Sequence, residues 1–150
     1  MPVRLQEITA TTVRAVCRLD AGDGGRQVAP NAVSIAQAHF EPAAWFRAID
    51  ADGELAGFLM LYDPTLSPVP DASRFTRWRL MIDQRWQSRG YGRAAAGLLA
   101  DHVRTRPGAD ALHVSHVKGV QRSARFYLSL GFEYTGEEDE GELVMRRLLR

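Results

Sequence analysis

Apolar and polar positions alternate from Val3 to Thr9, and this period of two predicts a first strand. Thr11 or Thr12 is placed to cap a helix reaching about Leu19, with Val13, Val16, Cys17 and Leu19 on its apolar stripe. The run Ala21-Gly22-Asp23-Gly24-Gly25 reads as loop. A second helix, capped by Asn31, carries Ala32 to Phe40. Two strands, Trp45 to Ala51 and Glu54 to Tyr62, meet across Asp52-Gly53, a dipeptide suited to a two-residue hairpin. Pro64, Pro68 and Pro70 make Asp63 to Ser73 a loop. A strand from Arg74 to Asp83 precedes a helix from Gly92 to Arg106, which Pro107-Gly108 stops. Ala111 to Val117 is a strand, Arg122 to Leu130 a helix, and Phe132 to Gly136 and Glu142 to Leu149 the last two strands. This order predicts one mixed α/β domain spanning residues 1–150.

Composition narrows the function without naming it. A chain of 150 residues with 45% hydrophobic and 25% charged positions can bury a real core. The net charge is +1, Lys118 is the only lysine, and the arginines are scattered, so no nucleic-acid partner is expected. No apolar run approaches membrane-spanning length, and Met1-Pro2-Val3-Arg4 lacks a signal peptide's apolar region. Cys17 stands alone, which rules out an intramolecular disulfide and predicts a cytoplasmic setting. Its place on the helical stripe predicts a buried small hydrophobe.

The strand Arg79-Leu80-Met81-Ile82-Asp83 runs into Gln87-Ser88-Arg89-Gly90-Tyr91-Gly92-Arg93 and then an Ala/Leu-rich helix. Glycines there let the backbone approach a ligand, and the first-turn N–H groups of a helix favour an anion. Arg89 and Arg93 add positive charge, so the passage suits a phosphate group. A nucleotide P-loop is excluded, because no lysine and hydroxyl follow Gly92. A dinucleotide fingerprint fits only loosely, with Ala95 in place of the third glycine.

Gln-x-x-Gly-x-Gly, five residues after an apolar strand, resembles the acetyl-CoA pyrophosphate loop of the GNAT N-acetyltransferases. The segment Phe126-Tyr127-Leu128-Ser129-Leu130-Gly131-Phe132 resembles the family's second signature, a short tyrosine-bearing helix that stops at glycine. The resemblance implies the GNAT fold: a mostly antiparallel mixed sheet, splayed between its fourth and fifth strands, with about four helices. It implies acetyl-CoA as cofactor and a small-molecule amine as partner. Leu80, Met81 and Ile82 should then give main-chain contacts to the pantetheine arm. Gln87, Ser88, Arg89, Gly90, Tyr91, Gly92 and Arg93 should form the pyrophosphate cradle.

Acetyl transfer to an amine needs a base for the ammonium, donors for a developing oxyanion and an acid for the thiolate. The resemblance assigns the acid to Tyr127, and the oxyanion donor to an N–H of the strand ending at Ile82. Two departures stand out. Ser115 occupies the position of a glutamate found in many members, and Val120 that of an asparagine. Water-mediated deprotonation is therefore the default, with His113 on the same strand face as an alternative base. His113 and His116 point to opposite faces, and no metal site is expected. Trp45, Trp78 and Trp86 read as core or pocket walls.

For the acceptor, Arg26 to Ser34, Tyr62-Asp63-Pro64 and Trp78 to Asp83 resemble the bacterial spermine/spermidine acetyltransferase branch. The stretch Gly119-Val120-Gln121-Arg122-Ser123 departs from that branch's glycine, serine and proline pattern. Asn31, Ser34, Glu41 and Trp78 are the implied substrate-binding residues, with Asp20 and Asp63 as further candidates. The run Glu137-Glu138-Asp139-Glu140-Gly141-Glu142 holds five carboxylates in six residues, at the turn between the closing strands. It suits attraction of a polyamine or, alternatively, the solubility of a hairpin tip. Arg79 argues instead for some negative charge on the acceptor. The same chemistry on an antibiotic amine, an amino-acid derivative or a protein N-terminus stays open. So do a longer acyl donor, a homodimer, and a non-catalytic acyl-CoA-binding module.

Overall fold

The structure, a computed structural model, describes residues 2–23 and 29–150. Gly24, Gly25 and the segment from Arg26 to Val28, invoked above, lie outside them. Strands β1 (Val3–Gln6), β2 (Ala44–Ala51), β3 (Glu54–Tyr62), β4 (Thr76–Ile82), β5 (Ala111–Val117), β6 (Glu133–Asp139) and β7 (Glu142–Leu148) form one sheet in the order β1-β2-β3-β4-β5-β7-β6. Every pairing is antiparallel except β4 with β5. Helices α1 (Val13–Arg18) and α2 (Asn31–His39) cover one face, and α3 (Tyr91–Arg104) and α4 (Gln121–Ser129) the other. This is the α/β GNAT fold.

Alternation along the strands divides the core between the two faces. Leu59, Leu61, Leu112 and Met145 meet Leu99 and Val103 of α3 and Tyr127 of α4. Ala48, Phe58, Met60 and Met81 face Val16 of α1, with Ile35 and Ala38 of α2 beside them. The central hairpin is so tight that a Cβ on Gly57 would lie 2.3 Å from the Met81 carbonyl oxygen. Only glycine lets β3 and β4 pack this closely.

The sheet opens where β4 meets β5. Thr76 and His113 are the one paired position, with the His113 N–H donating to the Phe75 carbonyl at 2.9 Å. Beyond it the strands diverge. On the other edge of β4, Met60 pairs with Arg79 but Leu61 with Arg77, so Trp78 is an extra residue. Such a bulge bends its strand and strengthens the local twist, which here carries β4 away from β5.

Several boundaries differ from the sequence-based ones. β1 ends at Gln6, and α1 spans only Val13–Arg18. Cys17 is exposed, not buried, because Val13, Val16 and Leu19 at spacing three face the sheet and Cys17 lies about 100° further round the helix. Pro30, not Asn31, holds the capping position of α2. Residues Pro64–Leu66 of the proline loop form a 3-10 turn, capped by a buried Asp63 that accepts from the Thr65 N–H at 2.9 Å. The last hairpin departs most. β6 continues to Asp139, past an irregularity between Tyr134 and Glu138, and only Glu140-Gly141 form the turn, both at positive φ.

Candidate active site

The split between β4 and β5 leaves main-chain groups without a ladder partner. The Asp83 N–H donates to the Ala56 carbonyl at 2.8 Å, which fixes the phase of the β3–β4 ladder. By antiparallel alternation the Met81 N–H and C=O turn toward Phe58, while those of Leu80 and Ile82 turn into the split. Met81 thus leaves the group of cofactor contacts, and its side chain is buried under α1 and α2. The Ile82 carbonyl accepts from Gln87 Nε2 at 2.9 Å, and the same amide reaches the Ala21 carbonyl at 2.9 Å. Gln87 is a strut that fixes the loop to the strand, so its side chain is not a ligand group. Leu80, with both main-chain groups, and the Ile82 N–H stay open on the split.

Past the strand, a 3-10 turn (Gln84–Trp86) leads into Ser88 and Gly90, both at positive φ, and α3 begins at Tyr91. Its first-turn N–H groups have no acceptor within the helix. Space over Gly90 is open: a Cβ there would meet nothing within 4 Å. Arg89 lies over the Trp86 ring at 5.0 Å, and Arg93 Nη2 donates to Ser129 Oγ at 2.7 Å, tying α3 to α4. The Tyr91 side chain, in contrast, is buried against Ala51 and Ala56, so only its main chain faces the loop's concavity. An oriented set of amides with two arginines close by fits a pyrophosphate.

Asp83 joins the strand to this loop. Its buried carboxylate accepts from the Asp20 N–H at 3.0 Å, the Arg85 N–H at 3.0 Å and Arg85 Nε at 2.8 Å. Burial pulls its pKa up, but the hydrogen bonds from Arg85 and the Asp20 amide together hold it below the ordinary carboxylate value. A depressed folded pKa stabilises the protein above about pH 4, and that contribution is lost as pH falls through the lowered value. Asp83→Ala is expected to cost about 2 kcal/mol at pH 7, as loss of a cap and of charged hydrogen bonds, and less in acid. Urea titrations at pH 7 and pH 3 check this, and equal midpoints for variant and parent at pH 7 would contradict it.

A cavity of about 1050 Å³ opens at the mouth of the split. Trp78, Arg77, Arg79 and Leu80 line it from β4, His113 and Ser115 from β5, and Tyr127 from α4. The acidic strand end contributes Glu137, Glu138, Asp139 and Glu140, and β7 contributes Glu142. Tyr127 is 7% exposed, held by Phe126 and Phe132 at ring separations of 5.0 and 5.4 Å. Arg77 crosses the split: Nη2 donates to the Ser115 carbonyl at 2.6 Å, and the guanidinium lies 5.4 Å from the centre of the Tyr127 ring. Burial, with the neighbouring charge of Arg77, pulls the Arg79 guanidinium below its ordinary pKa.

The carboxylates are not equivalent. Arg74 grips Glu137 through two hydrogen bonds, 3.0 and 2.6 Å, which hold its pKa below the ordinary value. Lys118 pairs with Glu138. Glu142 Oε1 accepts from Ser115 Oγ at 2.8 Å. His113 is buried, and desolvation, aided by Arg74, lowers its pKa, so the imidazole is neutral at pH 7.

Of the four residues expected to bind the acceptor, Trp78 alone lines the cavity. Asn31 is 2% exposed and donates through Nδ2 to the Val16 carbonyl at 2.9 Å, locking α2 against α1. Ser34 is fully buried. Glu41 accepts from the Ala43 N–H at 3.1 Å and closes a turn, and Asp20 accepts from Gly22 N–H at 2.8 Å. Asp63 is buried beside Arg106, away from the cavity. Arg77 and the bond between Ser115 and Glu142 were missed by sequence reasoning. Serine in place of a glutamate was the one available signal, and it did not say which carboxylate replaces it.

The model of the acetyltransferase (GNAT) family matches residues 16–132, and the chain belongs to that family. It is an acetyl-CoA-dependent N-acetyltransferase. No curated protein matches it closely enough in sequence to count as a relative. Among solved structures, it is similar to the ribosomal-protein-S18-alanine N-acetyltransferase from Escherichia coli, with a TM-score of 0.72 at 16% identity over 99% of this chain and 94% of that one. An aminoglycoside acetyltransferase in complex with coenzyme A superposes with a TM-score of 0.77 at 15% identity, over 98% and 95% of the two chains. A spermidine N-acetyltransferase SpeG chimera from Vibrio cholerae and hSSAT gives 0.73 at 13% identity, over 98% and 95%. The open strand edge and the amide cradle fit acetyl-CoA, which supplies an acyl thioester. Among the described residues no helix is long and apolar enough to cross a membrane.

Proposed function

We propose that this enzyme acetylates a primary amine of a small cationic acceptor, with polyamines such as spermidine as the leading class, by direct attack within a ternary complex. The observation that carries the reading is that the acidic end of the last hairpin and Tyr127 line one cavity. In this reading Leu80 and Ile82 hold the pantetheine arm by main-chain bonds, and residues 88–93 hold the pyrophosphate. The Leu80 N–H is the oxyanion donor. Tyr127 gives its phenolic proton to the leaving sulfur. Trp78 walls the acceptor side, where a cationic chain can lie against its ring. Asp139 and Glu140 attract that chain, while Glu137 and Glu138 are already paired with Arg74 and Lys118. Cys17 is remote from the split, so no acetyl-cysteine step is used. The lone cysteine favours a cytoplasmic setting.

Neutralising Glu137, Glu138, Asp139 and Glu140 together to the amides is expected to raise the KM for spermidine about tenfold at low salt. The expected kcat change is small, and the difference shrinks at high salt because exposed charges are screened. Steady-state kinetics at two ionic strengths measure it. An unchanged KM at low salt would mean that the hairpin only keeps the sheet edge soluble.

A further inference from the structure

Deprotonating the acceptor ammonium calls for a base, and the family's usual position for one holds Ser115. The carboxylates around the cavity divide by environment. Glu137, Glu138, Asp139 and Glu140 are all exposed, and two of them are ion-paired. Glu142 is half-buried, lines the cavity, and is held by the Ser115 hydroxyl at 2.8 Å. In the β5–β7 register it stands opposite Val117, on the open face of β5 past the last paired position of the split. Arg79 lines the same cavity from β4. His113 is less suited, because it sits where β4 and β5 still pair.

Building on the acetyltransferase reading above, we propose that Glu142 is the general base of this enzyme and that Ser115 is its positioning residue. The carboxylate that many members carry on β5 is delivered here from the adjacent strand, β7, and oriented by the serine that replaces it. The acceptor ammonium passes a proton to Glu142. The freed nitrogen lone pair forms the N–C bond as the C–S bond breaks, and the sulfur takes the Tyr127 proton. The new amide's second N–H proton is lost to solvent, which reprotonates Tyr127 as Glu142 discharges its own. In sum, an ammonium and acetyl-CoA give an acetamide, the free thiol of CoA and one proton. Besides Tyr127, the other charged or titratable groups facing this cavity are Tyr62 from β3, Arg74 just before β4, Arg77 and Arg79 from β4, His113 and His116 from β5, and Glu137, Glu138, Asp139 and Glu140 from β6 and its turn.

The test is a comparison of pH–rate profiles for the parent enzyme, Glu142→Gln and Ser115→Ala, with CoA affinity measured alongside. Glutamine keeps the shape and can still accept from Ser115, so the fold is retained. Glu142→Gln is expected to lower kcat about 100-fold at pH 7.5 with CoA affinity unchanged. That loss should narrow as pH approaches about 10, where a primary amine deprotonates by itself. Ser115→Ala should show a smaller loss of the same pH shape, and it stands in if the glutamine variant does not fold. A loss confined to acceptor KM, or one that is constant with pH, would overturn the assignment by making Glu142 a binding charge. A parent enzyme that binds CoA and acetylates no amine would instead overturn the activity on which the assignment rests.

Discussion

Tyr127→Phe is expected to lower kcat about 100-fold or more while leaving the affinity for CoA unchanged. The substitution removes one hydroxyl and keeps the ring, whose edge contacts with Phe126 and Phe132 fix α4 against the sheet. Packing therefore survives, and so does the pyrophosphate cradle, which belongs to α3 and the turn before it. What goes is the α4 phenol that reaches the cavity beside the split, and with it the acid for the departing thiolate. Arg77, at 5.4 Å from the ring centre, stays and still stabilises negative charge there, so residual turnover is expected. Stopped assays with calorimetric CoA binding separate the two quantities. A variant with parental kcat would contradict the role assigned to Tyr127.

The second large effect is expected at Gly90. Its φ of +84° lies in the left-handed region, which a β-branched residue enters only with strain of about 1–3 kcal/mol. A valine side chain would also extend into the open space at the start of α3, where an anion approaches the free amides. Both effects act on the same ligand group. Gly90→Val is therefore expected to weaken CoA binding at least about 100-fold, equivalent to about 2.7 kcal/mol. The variant's cooperative unfolding should be retained, because nothing packs against the position. A folded variant that binds CoA with unchanged affinity would remove this loop from the cofactor site.

How much of this was readable in the chain depends on how local its cause is. Gly90 and Gly92 after an apolar strand, and Tyr127 before Gly131-Phe132, could be read because the backbone requirement lies within a few residues of the motif. Most elements were legible for the same reason, through Asp52-Gly53, Pro107-Gly108 and the strand alternation. The bulge at Trp78 was not, since it exists only as a mismatch between β3 and β4. Met81 was misassigned because its direction depends on the phase of that ladder, which the Asp83–Ala56 bond sets from outside the strand. Asn31 read as a cap and a ligand, yet its amide bonds to Val16, fifteen residues earlier. Ser115 looked like a lost catalytic position, and its partner Glu142 is 27 residues away on another strand. The acidic run was seen, but its extension as strand along the cavity follows from the irregularity near Gly136, which local composition does not specify.

The most direct test of the central claim is release of free CoA from acetyl-CoA by the purified protein. The panel of amines should run from spermine and spermidine to aminoglycosides and short peptides, with products identified by mass. Acceptor-dependent release and an N-acetylated product, greatest with the polyamines, are the predicted results. Tight CoA binding with no release for any amine would contradict the account and leave a protein that holds the cofactor without using it.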